Sequence, residues 1–509
     1  MKSSKHAVAL LTAALLLRLL PVYVSGAPYS TDVWPLIRVT EKLLKDPGAK
    51  IWLDELFDGY NNRWPGAPLS VAIVSAATSI SPVQAYTVLM PVVLALAVYL
   101  LLAALLHRLG TPGSPARLAA AYLLLAPSLL VFTSACLKEV YAYPLMLVAL
   151  AAPLLGSKRE WLVVMCLLGA AMPLAHHLAT LATVAFLASA FAWGKYLELL
   201  YRQGSSVGYG RLAAASIVLL LGFAVYYVTY GGGGQGPRVE FYDLVMYLAY
   251  ALPVYSTAFL TQKRSREASA LASLVATAVL AASARYPALL GFNLAGSRFE
   301  LYVLPLVAPL AMYAASKLDE RDLPLYAVPI ALFAASSALY ATFGNPLLPL
   351  HRVLNYAFFY IAMLVALLAS RESRLKTGLL AITALSCAVA SVGFTLLRGD
   401  SIGSSWLYTK QEELLYDFLC SHLGEYTVAG DSRVSYALSM KLSVDVKSAV
   451  EHALAGKIHG NRLYLYTWYN TLYGLMSSSG PIPVREEFWK NLPALSRVVD
   501  YGLAWGFAP

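Results

Sequence analysis

Charge is what this sequence has least of. Asp, Glu, Lys and Arg make up 13% of its 509 residues, against about 25% in an ordinary soluble domain. With 59% of residues hydrophobic and a mean hydropathy of +0.62, a soluble globular chain is excluded. Cysteine is equally sparse. Cys136, Cys166, Cys387 and Cys420 stand far apart, so neither a disulfide framework nor a metal-ligand spacing is visible. No internal repeat of fixed period appears, which argues against solenoids and propellers. Charges inside the apolar runs are nearly absent, and no two runs look like Gly/Pro-broken halves of an inverted repeat. The usual marks of a transporter are therefore missing. Asn and Gln are scarce, in keeping with a thermophilic source.

What the chain does have is apolar runs of about 18 residues or more, one after another. Lipid offers no hydrogen bonds to a backbone, so such runs fold as helices, and the class expected is an all-α polytopic membrane protein. The net charge of +10 lies mostly in short loops between runs. That is the positive-inside pattern rather than a nucleic-acid footprint, and no nucleic-acid partner is expected. The first run, Ala7–Val24, follows Lys2 and Lys5. Its terminal Pro and bulky residues, and Arg18 within it, favour an uncleaved span over a signal peptide. Arg18 is expected to snorkel or to pair with an acid.

With Lys2 and Lys5 cytoplasmic, spans follow at Val83–Leu106, Leu118–Thr133, Val140–Leu155, Trp161–Ala175, Leu178–Trp193 and Leu212–Tyr230. Further spans follow at Tyr242–Leu260, Ala268–Ser283, Phe299–Ala315, Leu323–Thr342, Val353–Ser370 and Thr377–Leu397, giving about thirteen in all. Gly194–Arg211 reads as a polar loop. Residues 1–397 thus form the transmembrane domain, with 25–82 as its first outer loop. Residues 398–509 form a soluble extracytoplasmic α/β-type domain, large enough for a small core. In it Gln411–Cys420 reads as a helix, Tyr426–Ala429 as a strand running into Gly430-Asp431-Ser432-Arg433, and Arg462–Tyr469 as another strand. The expected location is the plasma membrane, multi-pass, with the N-terminus inside.

The stretch from Tyr29 to Pro68 is the polar centre of the chain. Asp32 follows the first span by a few residues, at the membrane surface. Val33–Leu44 has helical spacing, with Leu36, Val39, Leu43 and Leu44 on one face and Arg38, Glu41, Lys42 and Lys45 elsewhere. That pattern predicts an amphipathic helix on the interface. Asp54, Glu55 and Asp58 follow, then a Trp-Pro-Gly-Ala-Pro turn. These three acids read most simply as solvated loop charges. Asp32, at the mouth of a membrane bundle, reads as functional. Pro68–Ile80 is too short to cross and is placed as an interfacial or re-entrant helix.

The same topology gathers Asp32, Glu139, His176, His177, Arg285, Arg298, His351 and Arg352 on the outer face. Acid, imidazole and guanidinium together suit a reaction on an anionic lipid-linked substrate. Arg binds phosphate through a planar fork. A carboxylate can act as a general base toward an acceptor hydroxyl, or hold a divalent cation such as Mg or Mn. His176 and His177, adjacent on one helix, would point about 100° apart and share a metal poorly. Ordinary interface hydrogen bonds are an equal reading for them. The Gly-Gly-Gly-Gly-Gln-Gly run lacks a strand-to-helix setting and is no phosphate cradle.

D-V-W-P-L-I-R-V-T-E-K-L-L, then W-L-D-E-L and Y-N-N-R-W-P-G-A-P, resembles the first outer loop of GT-C membrane glycosyltransferases. The nearest likeness is to archaeal oligosaccharyltransferase catalytic subunits, where an Asp, a downstream Arg, an F-D pair and a Pro-Gly turn come in that order. G-S-R-F-E-L-Y-V-L-P-L-V-A-P-L-A resembles the family's later R-F…P segment, in which Arg contacts the lipid-linked phosphate; the matching residue is Arg298. The resemblance implies that Asp32 is the catalytic carboxylate and that Glu139 falls at the acidic motif of the second outer loop. By it these two would also be the metal ligands. The departures are equally plain. The second acidic motif is reduced to Cys136-Leu137-Lys138-Glu139, no acidic stretch precedes Arg298, and Thr467-Trp468-Tyr469-Asn470 replaces the tail's W-W-D.

The expected activity is transfer of a sugar from a polyprenyl-phosphate donor to a protein, lipid or glycan acceptor on the outer face. Asp32 and Glu139 would carry the chemistry, and Arg298, Arg285, Arg352, Arg38, His176 and His177 would line the substrate. An oligosaccharyltransferase acting on protein Asn, a lipid-linked-sugar flippase or transporter, and an inactive scaffold homologue are the alternatives.

Overall fold

A computed structural model describes residues 2–154, 159–201, 208–233, scattered positions between 245 and 396, and 404–422, 427–455, 463–477, 480–491, 496–500 and 504–508. In chain order the helices begin with α1 (Lys2–Ser25), α2 (Val33–Lys45), α3 (Gly66–Thr78) and α4 (Pro82–Arg108, with a π-helical turn at Ala85–Leu89). Then come α5 (Gly113–Leu124), α6 (Pro127–Ser134), α7 (Lys138–Ala151), α8 (Glu160–Ala175), α9 (His177–Tyr201) and α10 (Tyr209–Thr229). The chain forms two compact units. One comprises Met1–Arg18, Val92–Thr133 and Lys138–Ser391; the other comprises Leu19–Pro91, Ser134–Leu137 and Val392–Pro509.

Among the described residues, four helices are long and apolar enough to cross a membrane: Lys5–Ser25, Pro82–Arg108, His177–Lys195 and Tyr209–Thr229. Glu160–Ala175 and Gly66–Thr78 are shorter apolar helices. The body is thus that of a helical membrane protein, and the expected spans from Tyr242 to Leu397 lie outside the continuously described residues. Two expectations are corrected. The supposed loop at Gly194 remains helical to Tyr201, because Tyr196, Leu197, Leu199 and Leu200 favour helix as well as the apolar run before them. The supposed single span Leu118–Thr133 is two helices, α5 and α6, broken at Leu125 and Ala126. Pro127 supplies the reason, since it lacks an N–H and disfavours α geometry in the residue before it.

The break explains Arg18, which is fully buried in α1 rather than snorkelling and, among the described residues, meets no acid. Its Nη2 donates to the Leu124 carbonyl (2.8 Å) at the end of α5, and its Nη1 to Ala14 (2.7 Å). The last carbonyls of a helix lack intrahelical donors and form its negative pole, so they suit a cation. Elsewhere in this unit α10 meets α8 backbone to backbone. A Cβ on Gly222 would collide with the Gly169 carbonyl, and one on Gly169 would sit 3.3 Å from that of Val218. Small residues let membrane helices approach this closely.

In the second unit the tail adds α11 (Lys410–His422), α12 (Ser432–Ala437), α13 (Val446–Ala455), α14 (Trp468–Tyr473) and α15 (Glu486–Asn491). Its strands are β1 (Val428–Ala429), β2 (Val444–Asp445), β3 (Leu463–Thr467), β4 (Leu475–Ser477), β5 (Gly480–Ile482), β6 (Ser496–Asp500) and β7 (Ala504–Ala508). A small mixed sheet has the order β2-β1-β3-β7-β6, parallel among β2, β1 and β3 and antiparallel beyond; β4 and β5 form a hairpin. Tyr464, Tyr466, Leu475 and Phe488 pack with Ala449 and Ala453 as its core. The expected strand Arg462–Tyr469 stops at Thr467. The Thr467 N–H donates to Asn470 Oδ1 (2.8 Å), a reciprocal cap that turns the chain into α14.

Beneath that turn lies Arg433, wholly buried. Its Nη1 pairs with Glu412 (2.5 Å) and reaches Thr467 Oγ1 (3.0 Å), Nε donates to the Ser405 carbonyl (2.8 Å) and Nη2 to that of Leu407 (2.7 Å). The guanidinium also stands 4.2 Å from the Tyr408 ring centre. Glu412 further accepts from Trp468 Nε1 (3.1 Å) and the Thr409 N–H (2.8 Å). Burial, the largest single influence, lowers the Arg433 pKa, but Glu412, Tyr408 and Tyr416 together outweigh it and the net shift is upward.

Two variants test this architecture. Arg433→Met leaves Glu412 charged and buried, and should cost about 3–5 kcal/mol, seen as a lowered thermal midpoint and early proteolysis of the tail. Gly222→Leu should force α8 and α10 apart and cut the yield of folded protein in detergent, whereas Leu at the open position Gly210 should be tolerated.

Candidate functional site

Asp32 sits on a segment that the tail holds in place. Tyr29 pairs antiparallel with Leu407, and the Ser30 N–H donates to the Trp406 carbonyl (2.8 Å). Ser30 has φ +105°, a left-handed conformation that costs a non-glycine residue energy and tends to mark functional sites. Its Oγ accepts from the Asp32 N–H (3.1 Å). Asp32 occupies the N-cap position of α2, yet with φ −73° and ψ −17° it is already helical, and its carboxylate caps no N–H. Usual N-caps are extended and spend the side chain on the first turn. Here the half-buried carboxylate has one side-chain hydrogen bond, from Thr31 Oγ1 at 3.4 Å, and no ion pair among the described residues.

α2 has the expected extent but not the expected setting. Val33 to Thr40 are all buried, Arg38 included, so the helix start is enclosed by protein rather than laid on an interface. Trp34 meets Tyr408 edge-on at 5.5 Å. Thr40 Oγ1 lies 3.2 Å from the Tyr86 hydroxyl. The Arg38 guanidinium stands 5.6 Å from the Trp34 ring centre and gives Nη1 to Glu41 (3.2 Å), which also faces Lys441 (3.8 Å).

The later acids of the loop are structural. Asp54 pairs with Arg63 (2.5 Å) and accepts from Asn62 Nδ2 (2.9 Å). Asp58 accepts from the N–H groups of Tyr60 (3.1 Å) and Asn61 (2.7 Å) and from Asn61 Nδ2 (2.6 Å). Together they fold the two 3₁₀ turns, Asp54–Leu56 and Asn61–Arg63.

In the first unit Glu139 lies in the first turn of α7 and is buried. His176 and His177 do not share a helix. His176 is extended (φ −166°, ψ 127°) at the end of α8 and His177 opens α9, and the rings stack with centres 4.7 Å apart. The expected divergence of about 100° fails because the chain leaves helical geometry at His176, three residues after Pro173. Arg285, Arg298, His351 and Arg352 lie outside the described residues. Among the described residues no three His, Cys, Asp or Glu side chains converge as a metal centre would need. The residues that sequence reasoning passed over are Ser30, whose backbone strain has no sequence signal, and Trp34, which the i,i+4 spacing to Arg38 could have flagged.

The Arg63 bonds, opposed by burial and helped by Asn62, hold the Asp54 carboxyl below its ordinary value. A depressed acid stabilises the fold above its unfolded pKa, about 3.9, and that contribution is lost as pH falls through the lower folded value. Order in residues 51–63, read by hydrogen exchange, should therefore weaken below about pH 4 in the wild type and show no such step in Asp54→Asn. The amount is about 1 kcal/mol or less, because Asp54 is 36% exposed and water screens the pair.

No known family model matches the chain, and no curated protein does. Among solved structures it is similar to ArnT from Cupriavidus metallidurans bound to undecaprenyl phosphate. That match is 14% identical with a TM-score of 0.44, over 98% of this chain and 97% of that one. It is also similar to the apo state of the same protein, at 12% identity and TM-score 0.39, over 100% and 98%.

Proposed function

We propose that the chain is an integral-membrane glycosyltransferase that moves a sugar from a polyprenyl-phosphate donor to an acceptor on the extracytoplasmic face. The observation that carries this reading is Asp32. Its backbone is pinned by Ser30 and the 406–407 segment, while its carboxylate is spent on neither cap nor ion pair. The likeness of the loop sequence to the GT-C family supports the same residue, as does a body of apolar membrane-length helices.

In this reading the acceptor hydroxyl attacks the sugar's anomeric carbon, and the bond from that carbon to the phosphate oxygen breaks. Asp32 receives the hydroxyl proton as general base. Arg298, with Arg285 and Arg352, neutralises the departing phosphate through guanidinium hydrogen bonds. Glu139 is the second acid, and His176 and His177 line the substrate.

The test uses purified protein in lipid, a labelled polyprenyl-phosphate sugar, and membrane extract as acceptor source. Asp32→Asn should lower transfer by about 10²- to 10⁴-fold, while Glu55→Gln, at an exposed position of the same loop, should leave it unchanged. Equal transfer in Asp32→Asn and wild type would remove Asp32 from the chemistry. Donor moved across the bilayer unchanged would instead mark a flippase.

A further inference from the structure

Arg38 is held at one end and, among the described residues, unpaired at the other. Its side chain is 8% exposed, and Nη1 is engaged by Glu41 at 3.2 Å. Among the described residues Nε and Nη2 have no hydrogen-bond partner, and neither does Nε1 of Trp34, one helical turn earlier. In a guanidinium, Nε–H and the nearer Nη2–H lie parallel on one edge and form the fork that grips two oxygens of a phosphate or carboxylate. Buried donors are nearly always paired, so a whole unpaired edge on a residue this enclosed asks for an acceptor.

The surroundings suit an anion at the protein surface. Lys441 is exposed and reaches Glu41 at 3.8 Å, so a second cation stands at the rim. Cys420 of α11 lies in the same field. Burial raises its thiol pKa most, Arg38 and Lys441 pull it down, and Asp417 and Glu41 push it up. Of the two acids Asp417 is exposed, and Glu41 is already taken by both cations. Trp34 underlies the guanidinium, and with Glu41 it fixes the plane of the fork before any ligand arrives.

We propose that the Nε–Nη2 edge of Arg38, together with Lys441, is a binding site for a phosphate monoester or free phosphate. The site stands whether or not the chain transfers sugar. A soluble phosphate and a lipid headgroup share the chemistry, and the experiment separates them.

Purified protein in phospholipid-free detergent is titrated with inorganic phosphate, or with a polyprenyl phosphate, and its thermal midpoint is followed at constant ionic strength. Wild type should show a saturable rise with one or both. A response to inorganic phosphate at concentrations similar to the lipid's marks a soluble ligand; a response at far lower concentrations of the lipid marks a headgroup. Arg38→Lys keeps the charge but loses the fork, and should weaken the affinity about tenfold or more. No saturable rise with either ligand, or equal affinity in Arg38→Lys, would overturn the site. Should Arg38→Lys not fold, a cryo-EM map of the wild type in saturating phosphate decides. Tetrahedral density against the Nε–Nη2 edge supports the site, and a bare edge refutes it.

Discussion

The buried charge of Arg433 is the constraint on which the second unit depends. A guanidinium without water must find acceptors for its N–H groups, and here they come from Glu412, Thr467 and the carbonyls of Ser405 and Leu407. Two of those carbonyls belong to the short segment that enters the tail. The same segment bonds to Tyr29 and Ser30, two to three residues before Asp32. The position of Asp32 is thus set by a charge four hundred residues further along the chain. Satisfying one buried cation orders the tail's entry, and that entry orders the loop where the chemistry is proposed.

Much of the fold can be read from sequence because lipid permits so few structures. The starts and ends of α1, α4, α8 and α10 fall within a few residues of the apolar runs that predict them. α2 was equally legible from its 3.6-residue spacing, but its burial was not. Periodicity reports which face is apolar, and it cannot say that a tail four hundred residues away covers the other face as well. The α5–α6 break illustrates the opposite failure. Pro127 was visible, yet hydropathy counts proline within an apolar run almost as an ordinary residue. The carbonyl that the break leaves at Leu124 is met by Arg18, more than a hundred residues distant, a partner that hydropathy cannot reveal.

The candidate site was legible in the same uneven way. Asp32 and Arg38 could be picked out because charges are rare in this chain, and rarity makes each one informative. Telling a functional acid from a structural one needs the partners. In sequence Asp54 and Asp58 read as solvated loop charges, whereas in the structure Arg63, Asn61 and Asn62 tie them into the fold of the loop. His176 and His177 look like neighbours on a helix, and a departure from helical geometry between them stacks their rings instead.

A comparison of all the carboxylates in the second unit sharpens the point. Among the described residues, those that are buried or half-buried are Asp32, Glu41, Asp54, Asp58, Glu412, Glu413, Asp431 and Asp445. Glu41 is taken by Arg38, Asp54 by Arg63, Glu412 by Arg433 and Glu413 by Lys410. Asp58 folds the loop through Asn61, Asp431 binds Asn470 and the Met476 N–H, and Asp445 binds Ser448. Each of these carboxylates lowers the energy of the fold by being satisfied. Asp32 alone contributes its backbone and withholds its side chain, apart from a long bond from Thr31. Arg38 is its cationic counterpart, anchored through one nitrogen and, among the described residues, unpaired along its gripping edge. A group held in place by its surroundings but not neutralised by them pays no reorganisation when a substrate arrives. Folding alone gives no reason to leave an acid and a fork in that condition on one short helix, and binding and proton transfer do.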